Sequence, residues 1–218
     1  MTARHADFIS ANTAVHRPTL TPEIALHLAT EVTPLWHATA ETLHQSGTEP
    51  PFWAFAWPGG LALARYVMDN PDSVRGRLVL DIATGSGLVA IAAARTGAAS
   101  VTANDIDPMA LAAVALNAQI NYVVIKTRTD DLTAGAEATE DYDVVLAGDI
   151  FYDRDMAARF TPWLRDRAAR GALVLIGDPD RAYVPVNYLK QLAVYEVATS
   201  LDLESTPTKL TTIWQVEG

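Results

Sequence analysis

Few folds accommodate the stretch that runs from Arg77 through Asp81, Gly85 and Gly87 to Ile91. A short apolar run ends on Asp81, the chain turns through two glycines, and an Ala-rich helical pattern follows. An unbroken apolar run is the mark of a parallel strand buried on both faces. Gly85 and Gly87 permit a tight turn and a close backbone approach to a ligand, and the next helix aims its N-terminal amides at the same place. The spacing predicts strand over 78–82 and helix over 87–95, closed by Gly97. A second strand is expected over 100–104, again finishing on an acid, Asp105. Two neighbouring parallel strands that each end on a carboxylate mark a nucleoside site, with Asp105 set to accept both ribose hydroxyls.

The pattern Asp81-x-x-x-Gly85-x-Gly87, followed by Asn104-Asp105-Ile106-Asp107, resembles the S-adenosylmethionine-dependent methyltransferases of the Rossmann-like class. Two further segments narrow the resemblance: Pro51-Phe52-Trp53-Ala54-Phe55-Ala56-Trp57-Pro58-Gly59-Gly60 and Gly148-Asp149-Ile150-Phe151-Tyr152-Asp153. Both are similar to segments of the lysine methyltransferases of the electron-transfer flavoprotein β subunit. The likeness runs from about residue 20 to the C-terminus.

That resemblance implies S-adenosylmethionine as cofactor, S-adenosylhomocysteine as product, and the flavoprotein subunit as protein substrate. It also implies roles. Trp57, Asp81, Thr84, Gly85, Ser86, Gly87, Asn104 and Asp105 bind the cofactor, and Asp130 or Asp131 faces the adenine amino group. Asp149 meets the target lysine, while Phe151 and Tyr152 shape an aromatic channel around its stem. Ala83 departs from the family, standing where a glycine is frequent.

At 218 residues the chain suits one sizeable α/β domain, expected over 51–218, preceded by a helical extension over 1–50. No apolar run approaches the roughly 20 residues that cross a bilayer. The first fifteen residues read as neither signal nor transit peptide, and with no cysteine the chain has no disulfides or thiolate metal sites. A cytoplasmic location is the simplest expectation. His27, His37 and His44 show no metal-site spacing. The formal net charge of −10 repels phosphate backbones and attracts lysine-bearing proteins.

Residues 1–20 show no clear period and are expected to be flexible or loosely packed. Thr21-Pro22-Glu23 reads as a helix start, giving helices over 22–30 and 33–44 across the open edge of the site. A Pro-Gly-Gly break after Trp57 introduces a helix over 61–68. Further on, helix is expected over 109–121, 153–167 and 184–192, and strand over 122–129, 142–148 and 172–177. Runs at 193–200 and 211–216 form an antiparallel pair at the sheet edge. The fold class is therefore a Rossmann-like, seven-stranded, mostly parallel sheet with a C-terminal antiparallel pair.

Other readings use the same residues. Gly85-Ser86-Gly87-Leu88-Val89-Ala90 fits G-x-G-x-x-G/A with Asp105 twenty residues on, a nicotinamide fingerprint. Asp81 ahead of the glycines, a site that begins after eighty residues and the terminal strand pair speak against a dehydrogenase. Another protein, such as a ribosomal protein, or a small amine is the alternative substrate. A non-catalytic cofactor-binding module has no need of the segment from Asp149 to Tyr152.

Overall fold

The computed structural model describes residues 3–30, 35, 51–134, 141–200, 204 and 206–217. Seven strands form the central sheet: β3 (Leu78–Ile82), β4 (Ser100–Asn104), β5 (Lys126–Arg128), β6 (Val144–Gly148), β7 (Leu173–Asp178), β8 (Leu189–Ala198) and β9 (Thr208–Val216). Their order is β5-β4-β3-β6-β7-β9-β8. The first five are parallel, and β9 joins antiparallel to both β7 and β8. The expected mostly parallel sheet with a terminal antiparallel pair is what forms.

Alternate residues of the buried strands feed two cores. Val79, Val144, Leu146 and Leu175 pack beneath α2 (Pro58–Asp69) and α3 (Leu88–Arg95). Leu80, Ile82, Val145, Ala147, Val174 and Ile176 pack beneath α5 (Arg154–Ala169). Apolar residues on both faces are what parallel strands covered on two sides require. Between β4 and β5 runs α4 (Pro108–Ile120), whose N-cap Asp107 accepts from the Met109 amide at 2.7 Å.

Several expectations are corrected. Residues 3–12 are not loose but form α1 (Ala3–Asn12), whose Ile9 is fully buried. No helix spans 22–30: β1 (Ala14–His16) pairs antiparallel with β2 (Leu26–Leu28). The hydrogen bonds that hold β2 come from far along the chain. Asn121 Oδ1 accepts the Ala25 amide at 3.0 Å, Asn121 Nδ2 donates to the Ala25 carbonyl at 2.6 Å, and Asn117 Oδ1 accepts the His27 amide at 2.7 Å. Most of the helix expected over 33–44 lies outside the described residues.

The expected strand over 122–129 shrinks to β5, because Tyr122 stands at φ 56 and both Tyr122 and Val124 point into solvent. The helix expected over 184–192 is also absent. A single 3-10 turn at Val186–Tyr188 leads straight into β8. A register shift between Gln191 and Ala193 places Leu189, Leu192 and Ala193 at spacings of three and four, which imitates a helical face.

Candidate active site

The carboxyl ends of β3, β4, β6 and β7 meet at one rim of the sheet, where open α/β sheets hold ligands. After β3 the chain passes through Gly85 at φ 53 and Gly87 at φ 81, a left-handed course that glycine takes without strain. Asp81 lies beneath this loop, 1% exposed. Its Oδ2 accepts from Thr84 Oγ1 at 2.5 Å and from the Ala90 amide at 2.9 Å. Burial pushes its carboxyl up to about 7 against those two donors. Asp81 and Thr84 thus tie loop to helix. Ser86 is buried, and its carbonyl accepts from Asn117 Nδ2 at 2.8 Å.

Asp105, after β4, is partly buried, and desolvation raises its pKa. Its carboxylate accepts the Gly85 amide at 2.9 Å and the Asp107 amide at 3.0 Å. An ionised carboxylate offers about four acceptor positions, and the loop amides, Ile106 among them, do not take them all. A methyl built on Gly85 would meet Trp53 Cα at 3.9 Å and the Phe52 oxygen at 4.0 Å, so residues 52–53 lie over the glycine loop at van der Waals distance. These residues fit a ribose-bearing ligand. Asn104 is buried, and its Nδ2 donates to the Arg128 and Asp130 carbonyls at 3.1 and 2.9 Å, so it shapes the next loop.

Asp130 and Asp131 both lie at the outer edge of that loop. Asp130 is paired with Arg128, which holds its pKa down. Asp131 bonds Thr133 Oγ1 at 2.7 Å and pairs with Arg159, and these contacts likewise lower it.

Asp149 follows β6 at φ 56, a left-handed conformation uncommon outside glycine and held here by its surroundings. Its amide donates to the Gly177 carbonyl at 3.0 Å, and its Oδ2 accepts the Gly60 amide at 2.8 Å. The carboxylate therefore sits on the N-terminus of α2. Burial drives it up to about 6, opposed by the Gly60 and Gly59 amides and by the Arg181 guanidinium, whose Nη2 stands 3.5 Å from Oδ1. The helix starts earlier than expected, with Trp57 as N-cap and Pro58 at its first position. Close packing explains the first glycine of Pro58-Gly59-Gly60. A methyl on Gly59 would stand 2.2 Å from the Gly177 oxygen and 2.6 Å from Asp149 Oδ2.

Phe151 is fully buried with Leu80, Val145 and Phe160, so it supports the site from below and is no wall of a channel. Its neighbour Tyr152 is 45% exposed, with its ring 5.7 Å from that of Phe52. Phe52 in turn lies 6.0 Å from Trp57, whose Nε1 donates to the Phe52 carbonyl at 2.9 Å. An aromatic rim of Phe52, Trp57 and Tyr152 results. A cavity of about 420 Å³ opens beside Trp57 and reaches Leu28 and Glu204. Sequence reasoning missed the Gly59 and Gly60 amides, Glu204 and Asn117. The Pro58-Gly59-Gly60 break signalled the turn without its contacts, and Asn117 stood out as an amide in a mostly apolar helix.

Known methyltransferases resemble the chain at the level of sequence and fold. A family model described as ribosomal protein L11 methyltransferase (PrmA) matches residues 64–154. Among solved structures, the magnesium protoporphyrin IX methyltransferase from Synechocystis PCC 6803 with bound SAH superposes at a TM-score of 0.52 and 14% identity. It covers 72% of this chain and 81% of that one, a likeness of fold. The electron transfer flavoprotein beta subunit lysine methyltransferase of Danio rerio is 38% identical over 96% of this chain and 82% of its own length. Its Xenopus laevis counterpart is 40% identical over 96% and 86%. With relatives this similar along nearly its whole length, the chain is a methyltransferase and belongs to the electron transfer flavoprotein beta subunit lysine methyltransferase family.

Proposed function

We propose that this protein transfers methyl groups from S-adenosylmethionine to lysine side chains of the electron transfer flavoprotein beta subunit. The observation that carries the reading is the pairing of two acids at one rim. Asp105 keeps acceptor positions free beside Gly85, while Asp149 holds one oxygen on α2 and turns the other toward a cation. The proposal includes a cytoplasmic location and no nucleic-acid partner, supported by the cysteine-free, acidic composition.

Asp105 and the Gly85 loop would hold the ribose, Trp57 would border the cofactor, and Asp130 or Asp131 would meet its adenine. When bound, the cofactor supplies an electrophilic methyl group on a sulfonium. Asp149 captures and orients the lysine. Freeing a lysine lone pair at pH 7 costs about 4.6 kcal/mol from a pKa near 10.4, and a carboxylate alongside raises that cost. Removal of water by Phe52, Trp57 and Tyr152 lowers it. Asp149 therefore acts by alignment, which is worth several kcal/mol when reacting atoms are held about 3 to 3.5 Å apart. The proton leaves to solvent before the lone pair lines up.

The test is Asp149→Asn. It retains cofactor affinity by calorimetry and loses nearly all transfer, with residual turnover rising as pH increases. Undiminished turnover in that variant removes the role assigned to Asp149.

A further inference from the structure

The sheet rim carries a second enclosed acid beside Asp149. Gly148 and Gly177 are register partners on β6 and β7, so Asp149 and Asp178 leave the sheet side by side. Asp178 is 0% exposed. Its Oδ1 accepts the Arg181 amide at 2.7 Å, but its Oδ2 receives no hydrogen bond among the described residues. Asp149 repeats the pattern, with Oδ2 held by Gly60 and Oδ1 lacking a hydrogen bond, Arg181 Nη2 being 3.5 Å away. Arg181 is drawn to Glu204 at 2.7 Å, and Lys209 approaches the same acid at 3.5 Å.

Three enclosed carboxylates thus face two cations, while Asp180 is exposed at the surface. Among the described residues the cluster is one cationic donor short. Burial pushes Asp149 up to about 6 and Asp178 up to about 7, the latter helped by the Asp149 charge. A cation placed between the two carboxylates would offset that desolvation. Glu204 also lines the cavity beside Trp57, so the cluster meets that cavity at this one residue.

We propose that Asp178 is a second substrate-contacting carboxylate: the target ammonium docks between Asp149 Oδ1 and Asp178 Oδ2 and displaces Arg181 from Asp149, while Glu204 retains the guanidinium. The inference rests on the lysine methyltransferase reading above. It adds a specificity element, because an ammonium brings three donors and a full charge to the two acids, whereas a hydroxyl brings one donor and no charge.

Asp178→Asn separates this role from loop capping, since asparagine keeps an oxygen for the Arg181 amide and replaces the charged, unpaired Oδ2 with a neutral NH2. The probe is the electron transfer flavoprotein beta subunit, with calorimetry in saturating S-adenosylhomocysteine and KM under turnover. Asp178→Asn weakens substrate affinity and raises KM at least tenfold, while its affinity for S-adenosylhomocysteine stays within twofold of wild type. Wild-type substrate affinity in Asp178→Asn, with impairment only in Asp178→Ala, overturns the proposal. Should Asp178→Asn not fold, the wild-type pH dependence of substrate affinity decides. A loss approaching a hundredfold per pH unit below both pKa values supports two acids, and tenfold per unit leaves Asp149 alone and overturns it. A wild type that methylates no lysine of this subunit defeats the underlying reading instead.

Discussion

Ala83 and Asp149 both adopt left-handed backbone, at φ 54 and φ 56, and the contrast between them separates strain that serves the site from strain that does not. Asp149 needs its turn to put one oxygen on the Gly60 amide and the other toward Arg181. Ala83 shows no comparable use. An alanine in this conformation costs about 1 to 2 kcal/mol, offset in a glycine variant by about 0.4 to 1 kcal/mol of added unfolded-state entropy. Ala83→Gly accordingly stabilises the protein by roughly 0.5 to 1 kcal/mol. Chemical denaturation checks this, and a lower midpoint contradicts it. Residue identity alone could not rank Asp130 against Asp131, because their environments depend on Arg128 and on Arg159, the second 28 residues away.

Among the elements, α2 governs the geometry of the site. Its first turn abuts the ends of β6 and β7 so closely that Gly59, Gly148 and Gly177 leave no room for a methyl group. Gly59→Ala forces backbone apart at the point that holds Asp149, for an expected loss of roughly 2 to 4 kcal/mol, at the upper end of overpacking costs. Thermal melting measures it, and a variant that melts like wild type shows that the contact is looser than described. The sequence announced this turn through Pro58-Gly59-Gly60 but not its contact with Asp149, which lies 89 residues on. Strands β3, β6 and β7 were legible because burial on both faces makes them largely apolar runs, and β4, with Ser100, Thr102 and Asn104, was legible from its repeat of the strand-to-acid pattern. Elements stabilised from afar were not. β2 depends on Asn117 and Asn121, about 90 residues distant, and the bulge in β8 disguised an alternating pattern as a helical one.

For the whole molecule, the enclosed acids set an unusual response to pH. Asp81, Asp149 and Asp178 are pushed up to about 7, 6 and 7 by burial. A carboxyl whose folded pKa exceeds its unfolded value binds more protons when folded, so its contribution falls as pH rises from about 4 to about 7. The pairs lowered by arginine, Asp130 and Asp131, are largely exposed and act below that window. The growing net negative charge acts in the same direction as the buried acids. Melting temperature should therefore decline by several degrees between pH 5 and pH 8, and a rise over that range contradicts the electrostatic account. The site itself is judged most directly by mass spectrometry of the electron transfer flavoprotein beta subunit after incubation with this protein and S-adenosylmethionine. The account predicts methylated lysines with the wild type and almost none with Asp149→Asn. An unmodified subunit, together with tight binding of a nicotinamide dinucleotide in place of S-adenosylmethionine, would contradict it.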